Sequence, residues 1–347
     1  MQLGISEDLA TNIAHSATLG AIVFLVGLVA FVALVWLPAN PVENVEQERV
    51  VSFLLCRWMW MLVGLLVVAG LVEISLYAVR ASGEAFSLGL FQEALFDTRV
   101  GQIWVMRLAL GILTATAATF AAQKVVGAGY RWGVALLLGG LLLATLTLQS
   151  HAAAEGGFLP VAADWLHVTA ASLWMGGLLG FPILLTGPLR AMPAETRAKL
   201  LGHIVPRFSK VATMAVMSLI LTGLVAILLH VPSLSALQNT PYGRALSVKL
   251  GLLIFLLALG ALNLRLRGRE PFGNLVKYEL ALAIVIFVAT GFLTSLPPAD
   301  AARPGIQKNE LTPIENLRQP PMPLVPNAAA QSVEDSGGPA ASALRPP

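Results

Sequence analysis

The sequence predicts an all-α integral membrane protein, a bundle of about eight transmembrane helices with both termini outside, and three observations carry that prediction. Hydrophobic residues make up 56% of the 347, whereas Asp, Glu, Lys and Arg together make up only 12%. That is about half the charged share of a soluble domain, which runs near 25%. The mean hydropathy of +0.77 agrees. Finally, eight stretches each supply the roughly 20 apolar residues that a helix needs to cross the hydrocarbon core. They run continuously, without the polar alternation of barrel strands. A soluble enzyme, a secreted disulfide scaffold and a free nucleic-acid-binding domain are excluded. One cysteine, Cys56, leaves no internal disulfide and no CxxC motif.

The stretches fall at 12–37, 54–79, 103–122, 132–149, 163–187, 209–230, 245–264 and 276–296. The first follows a segment with Glu7 and Asp8 and no Lys or Arg. It lacks the basic region of a cleaved signal peptide and is expected to be a retained span. Between the second and third, the SLGLFQEALF run reads as a short interfacial helix. Orientation follows from the bias of Lys and Arg toward the cytoplasmic side. With the N-terminus outside, thirteen of these residues fall on cytoplasmic segments and five on outer segments before residue 297. The same bias accounts for the net charge of +3 and the pI near 9.2 without a nucleic-acid partner. Residues 297–347 hold eleven of the 21 prolines. Such a segment buries too little apolar surface to offset its ordering entropy. The chain therefore divides into a membrane domain at 1–296 and a Pro/Ala-rich, disordered periplasmic tail at 297–347.

Ionisable side chains inside a span are costly and mark function by default. On this topology His15, His151, His167 and His230 gather near the outer face, and only His203 is cytoplasmic. Converging imidazoles suit copper, zinc, iron and nickel. His167 is the strongest candidate, because Asp164 precedes it by three residues on the same helix face. A carboxylate beside a ligating imidazole fixes its tautomer, although Asp164 also fits as a helix N-cap. His15 lies one turn into the first span. His151 sits in the Gly-flanked QSHAAAEGG segment with Glu155. A hydrogen-bonded interfacial imidazole is the plainer reading of His15 or His230 taken singly. Glu73 is the other intramembrane acid, a neutraliser for Arg107 or Lys249 or a member of a cation pathway. Met175, Met59, Met61, Met214, Met217 and Cys56 supply soft sulfur at mid-membrane and cytoplasmic depths, where a route for Cu(I) would need it. Methionine as apolar filler is the plainer alternative at each position.

The stretch DWLHVTAASLWMGGLLGF at 164–181 resembles the signature of the CopD copper resistance family of bacterial inner-membrane proteins. RFSKVA (207–212), LTGL (221–224), TPYGRALSVKLGLL (240–253), ALNLRLR (261–267) and LTSLPPA (293–299) follow in the family's order. The first 150 residues match more loosely, through His15 and the FDTRVGQIWVMR stretch at 96–107. The resemblance implies copper handling at the cytoplasmic membrane, usually uptake from the periplasm, alongside a separate periplasmic copper chaperone of the CopC type. By analogy, His167 and Asp164 belong to an outer metal site, with His15 and His151 as companions. The cargo is a copper ion, as Cu(I) or Cu(II).

These readings converge on copper binding with translocation inward, without covalent catalysis. No Walker A motif occurs, so nothing supports ATP-driven pumping by this chain. One alternative is a membrane electron carrier holding haem between His15 and His167. Another is a copper sensor or assembly factor that does not transport.

Overall fold

The computed structural model describes residues 2–39, 45–123, 129–150, 157–230, 236–265 and 272–294. The tail at 297–347 and the candidate His151, with Glu155, lie outside the described residues. Among the described residues every regular element is helical. Helix α1 (Gln2–Ala30) passes into a π-helical turn, Phe31–Trp36, and a short α-helical end at Leu37–Ala39. There follow α2 (Val45–Ser82), α3 (Leu88–Phe96), α4 (Arg99–Ala122) and α5 (Gly129–Thr147). Next come α6 (Phe158–Thr186) and α7 (Ala194–His230), joined through a 3-10 turn at Pro188–Ala191. The short α8 (Ala236–Asn239), α9 (Pro241–Arg265) and α10 (Phe272–Thr294) complete the set.

Among the described residues seven helices are long and apolar enough to cross a membrane, so the chain is an all-α multi-pass membrane protein. Helix α10 occupies the position of the eighth expected stretch. The helices outrun the apolar runs that predict them. Helix α2 starts at Val45 and α7 at Ala194, nine and fifteen residues ahead of the expected spans. Hydropathy marks only the part that sits in hydrocarbon, whereas Glu46, Gln47, Glu48 and Arg49 are good helix formers that carry the ladder into water.

Two helices form the axis of the bundle. In their most apolar windows α1 is 72% buried and α6 61%, against 6% for α7 and 11% for α9. The axis exists because glycine lets two backbones touch. A Cβ at Gly27 would overlap the Ser172 carbonyl and Gly176, and a Cβ at Gly176 would overlap the Gly27 backbone. Small residues at such a crossing are the usual means of close packing in membranes, where no hydrophobic force drives helices together. Helices α2, α4 and α5 gather on one side of this axis; α7 packs on α6, and α9 packs on α10.

The SLGLFQEALF run is a helix, as expected. Ser87 caps it by accepting the Leu90 N–H at 3.2 Å. Ala94 joins Ile74, Ala78 and Trp104 in a small apolar cluster, with Phe91 and Leu95 packed against it. Phe86, Leu88 and Phe96 stay exposed.

Candidate metal-binding site

Two histidines that the sequence places at one face lie in two different polar clusters. His15, on α1, donates from Nδ1 to Glu73 Oε1 on α2 at 2.8 Å. A carboxylate oxygen accepts, so the hydrogen sits on Nδ1 and the lone pair on Nε2. Thr18, one turn along α1 and fully buried, donates to the other carboxylate oxygen at 2.9 Å. The charge of Arg107 on α4 also acts on Glu73. Arg107 is itself buried and is held by α5. Its Nε donates to Thr145 Oγ1 at 3.2 Å, and one terminal nitrogen donates to the Thr145 carbonyl at 3.2 Å and to Gln149 Oε1 at 2.7 Å. Hydrogen bonds thus join α1 to α2 through Glu73 and α4 to α5 through Arg107, two pairs of spans, with the part-buried acid within the field of the buried guanidinium.

His167, on α6, is held differently. Its Nδ1 lies 2.9 Å from Thr222 Oγ1 on α7. The Thr222 hydroxyl hydrogen is already donated to the Ser218 carbonyl at 2.7 Å. A hydroxyl has one hydrogen to give, so His167 Nδ1–H is the donor and its Nε2 lone pair is left open. Asp164, half-buried, stands one turn earlier on the same helix. The hydrogen bond of this cluster therefore joins α6 and α7.

The helix geometry explains why the clusters are separate. His15 precedes Gly27 by twelve residues, about 120° round α1 and about 18 Å along it; His167 precedes Gly176 by nine, about 180° round α6 and about 14 Å along it. The depths are similar, but His167 points away from α1 and toward α7. His15 and His167 share no hydrogen-bonding partner among the bonds above. Among the described residues no three His, Cys, Asp or Glu side chains come together to hold a metal ion.

The sulfur positions divide too. Cys56, Met59 and Met175 are buried in the central core, whereas Met61, Met214 and Met217 are 53%, 66% and 54% exposed on the outer surface of the bundle. The six do not line one passage. His203 is exposed, as expected. Sequence reasoning missed Thr18, Thr145, Gln149 and Thr222, which fix the charged groups, and Glu279. That acid on α10 is 6% exposed and packs beside Gly260 of α9. Its single hint was an acid just inside the eighth apolar stretch.

With this geometry in hand, the chain can be set beside known proteins. Residues 6–161 match the model described as copper resistance protein D-like, N-terminal domain, and residues 202–293 match the model for copper resistance protein D. The Arg107 network falls within the first match, and Thr222 and Lys249 fall within the second. The chain is 33% identical over 258 residues to the copper transport protein CutJ of Bacillus subtilis (strain 168), a stretch covering 72% of this chain and 46% of that protein. It is 31% identical over 211 residues to copper resistance protein D of Pseudomonas syringae pv. tomato, covering 58% of this chain and 65% of that one. The match thus spans less than two thirds of either relative. No solved structure matches the chain.

Proposed function

The chain belongs to the copper resistance protein D family, and from that premise we propose that it binds copper at the outer face of the bacterial inner membrane and passes it toward the cytoplasm. Copper is the substrate, no covalent chemistry is involved, and the family relatives are named for copper transport and resistance. The observation that carries the reading is the bond from His167 to Thr222. The His167 Nδ1–H is committed to Thr222, and Nε2, the ligating atom, is left with a free lone pair. His15, backed by Glu73, repeats that arrangement and is proposed as a second station at similar depth. Asp164 is the acid beside the first station, and His151 is proposed to complete it. The excess of Lys and Arg on the opposite side supports the orientation, with the histidines outside. A periplasmic chaperone of the CopC type is the proposed donor.

The test is copper content of the purified protein in detergent, followed by copper entry into liposomes carrying it. His167→Ala is expected to lose bound copper and copper entry, His15→Ala to lose part of each, and His203→Ala to lose neither. Copper retained in full by His167→Ala and His15→Ala together would overturn the reading.

A further inference from the structure

Three phenylalanine rings pack together at the far end of the α6–α7 seam on which His167 stands. On α6 Phe181 lies fourteen residues beyond His167, and on antiparallel α7 Phe208 lies fourteen residues before Thr222. The His167–Thr222 bond and the Phe181–Phe208 contact are therefore two rungs of one α6–α7 ladder, about 21 Å apart. Between them the seam is lined by Ala170, Ala215 and Leu219, with Trp174 against them. At the far rung the ring centroids of Phe181 and Phe208 are 5.2 Å apart, those of Phe31 and Phe181 5.6 Å, and those of Phe31 and Phe208 6.5 Å, all edge to face. Phe31 and Phe181 are almost wholly buried.

Two features set this trio apart from ordinary core packing. First, it is seated on glycines. A Cβ at Gly177 would overlap the Phe208 ring, and a Cβ at Gly180 would stand 2.6 Å from the Phe31 ring. Second, each ring sits at an irregularity of its own helix. Phe31 opens the π-helical turn of α1, Phe181 is followed by Pro182, and Phe208 comes two residues after Pro206. A π-turn and an interior proline both interrupt the i→i−4 ladder, and these are the usual sites of helix bending.

We propose that Phe31, Phe181 and Phe208 are a hydrophobic gate on the cytoplasmic side of the copper path, opened by bending of α1, α6 and α7 at these irregularities. An apolar constriction stops ions by excluding water rather than by filling space with charge. The proposal rests on the translocation reading for its cargo but not for its barrier. It therefore makes one prediction that involves no copper.

In liposomes with a trapped pH dye, Phe31→Ala/Phe181→Ala/Phe208→Ala protein is expected to leak protons on the order of tenfold faster than wild type. Phe91→Ala, at the small cluster beneath α3, is the control and is expected to match wild type. A triple variant that melts like wild type and leaks no faster would overturn the gate. A second construction replaces two of the rings with a removable tether: Phe181→Cys/Phe208→Cys in a Cys56→Ser background, joined by a short reducible thiol cross-linker. Joined protein is expected to keep its copper and lose copper entry, and to regain entry once the link is reduced. Entry undisturbed by the link would overturn the gate. A leaking triple variant beside wild type that admits no copper would uphold the gate and overturn translocation instead.

Discussion

His15 and His167 are the same residue at similar depth, each anchored through Nδ1 to a neighbouring helix, yet the two surroundings differ in kind. His15 rests on a carboxylate that is shared with Thr18 and offset by Arg107, itself bound to Thr145 and Gln149. His167 rests on one neutral hydroxyl. The first site hydrogen-bonds α1 to α2 through an acid that also lies in the field of Arg107. The second is one side-chain hydrogen bond across the packed α6–α7 seam. The difference teaches that orientation of an imidazole can be had with or without charge. The charged version costs a partner acid in the span, and the neutral one needs only a hydroxyl on the neighbouring helix.

That contrast can be broken most forcefully at Arg107. Arg107→Leu leaves the buried Thr145 and the Gln149 acceptors without their donor. It is expected to cost about 3 kcal/mol, read as a large drop in melting temperature in detergent. A melting temperature within a degree or two of wild type would show that the network is not structural. Next in size is the axis between the two sites. Gly176→Val forces Cβ and two methyls into the Gly27 backbone, and a cost of about 1–3 kcal/mol is expected from overpacking. Ser in place of Gly176 should cost less, and equal melting of the valine and serine variants would argue against the close crossing. Smaller again is Thr18→Val, which removes one of the bonds to Glu73. About 0.6 kcal/mol is expected, the average for interhelical hydrogen bonds in membranes.

The sharpest contrast comes from Thr222→Val, whose cost in stability should be no greater than that of Thr18→Val. Freed of its orienting partner, His167 is nevertheless expected to bind copper about 10–100-fold more weakly. Thr222→Ser should restore binding. Copper titration beside a melting curve checks both halves, and a Thr222→Val protein with unchanged affinity would remove His167 from the site.

Much of the fold was legible because the signals are one-dimensional. A run of apolar residues reports a span whatever packs against it, and the SLGLFQEALF run reports a short helix, though not its Ser87 cap. Depth was legible for the same reason, since a rise of 1.5 Å per residue needs only counting. The azimuth of a side chain was not. His15 and His167 lie at comparable depth, but the direction each faces depends on where Gly27 and Gly176 lock α1 to α6, a pairing between residues far apart in the chain. Glu73 was recognised with Arg107 among its partners, while its bonds to His15 and Thr18 were out of reach. Threonines are common in spans, and nothing in the sequence of Thr18 or Thr222 separates a hydroxyl that holds a charged group from one that bonds its own helix.

The Gly27–Gly176 contact has a mechanical meaning as well. It is a fulcrum with unequal arms. Along α1 the contact lies about 18 Å from His15 but only about 6 Å from Phe31. Any rocking of α1 against α6 about that point is therefore amplified roughly threefold from the ring end to the histidine end. An ångström of slack between the phenylalanines becomes about three at the mouth, so one small tilt can serve both ends of the bundle.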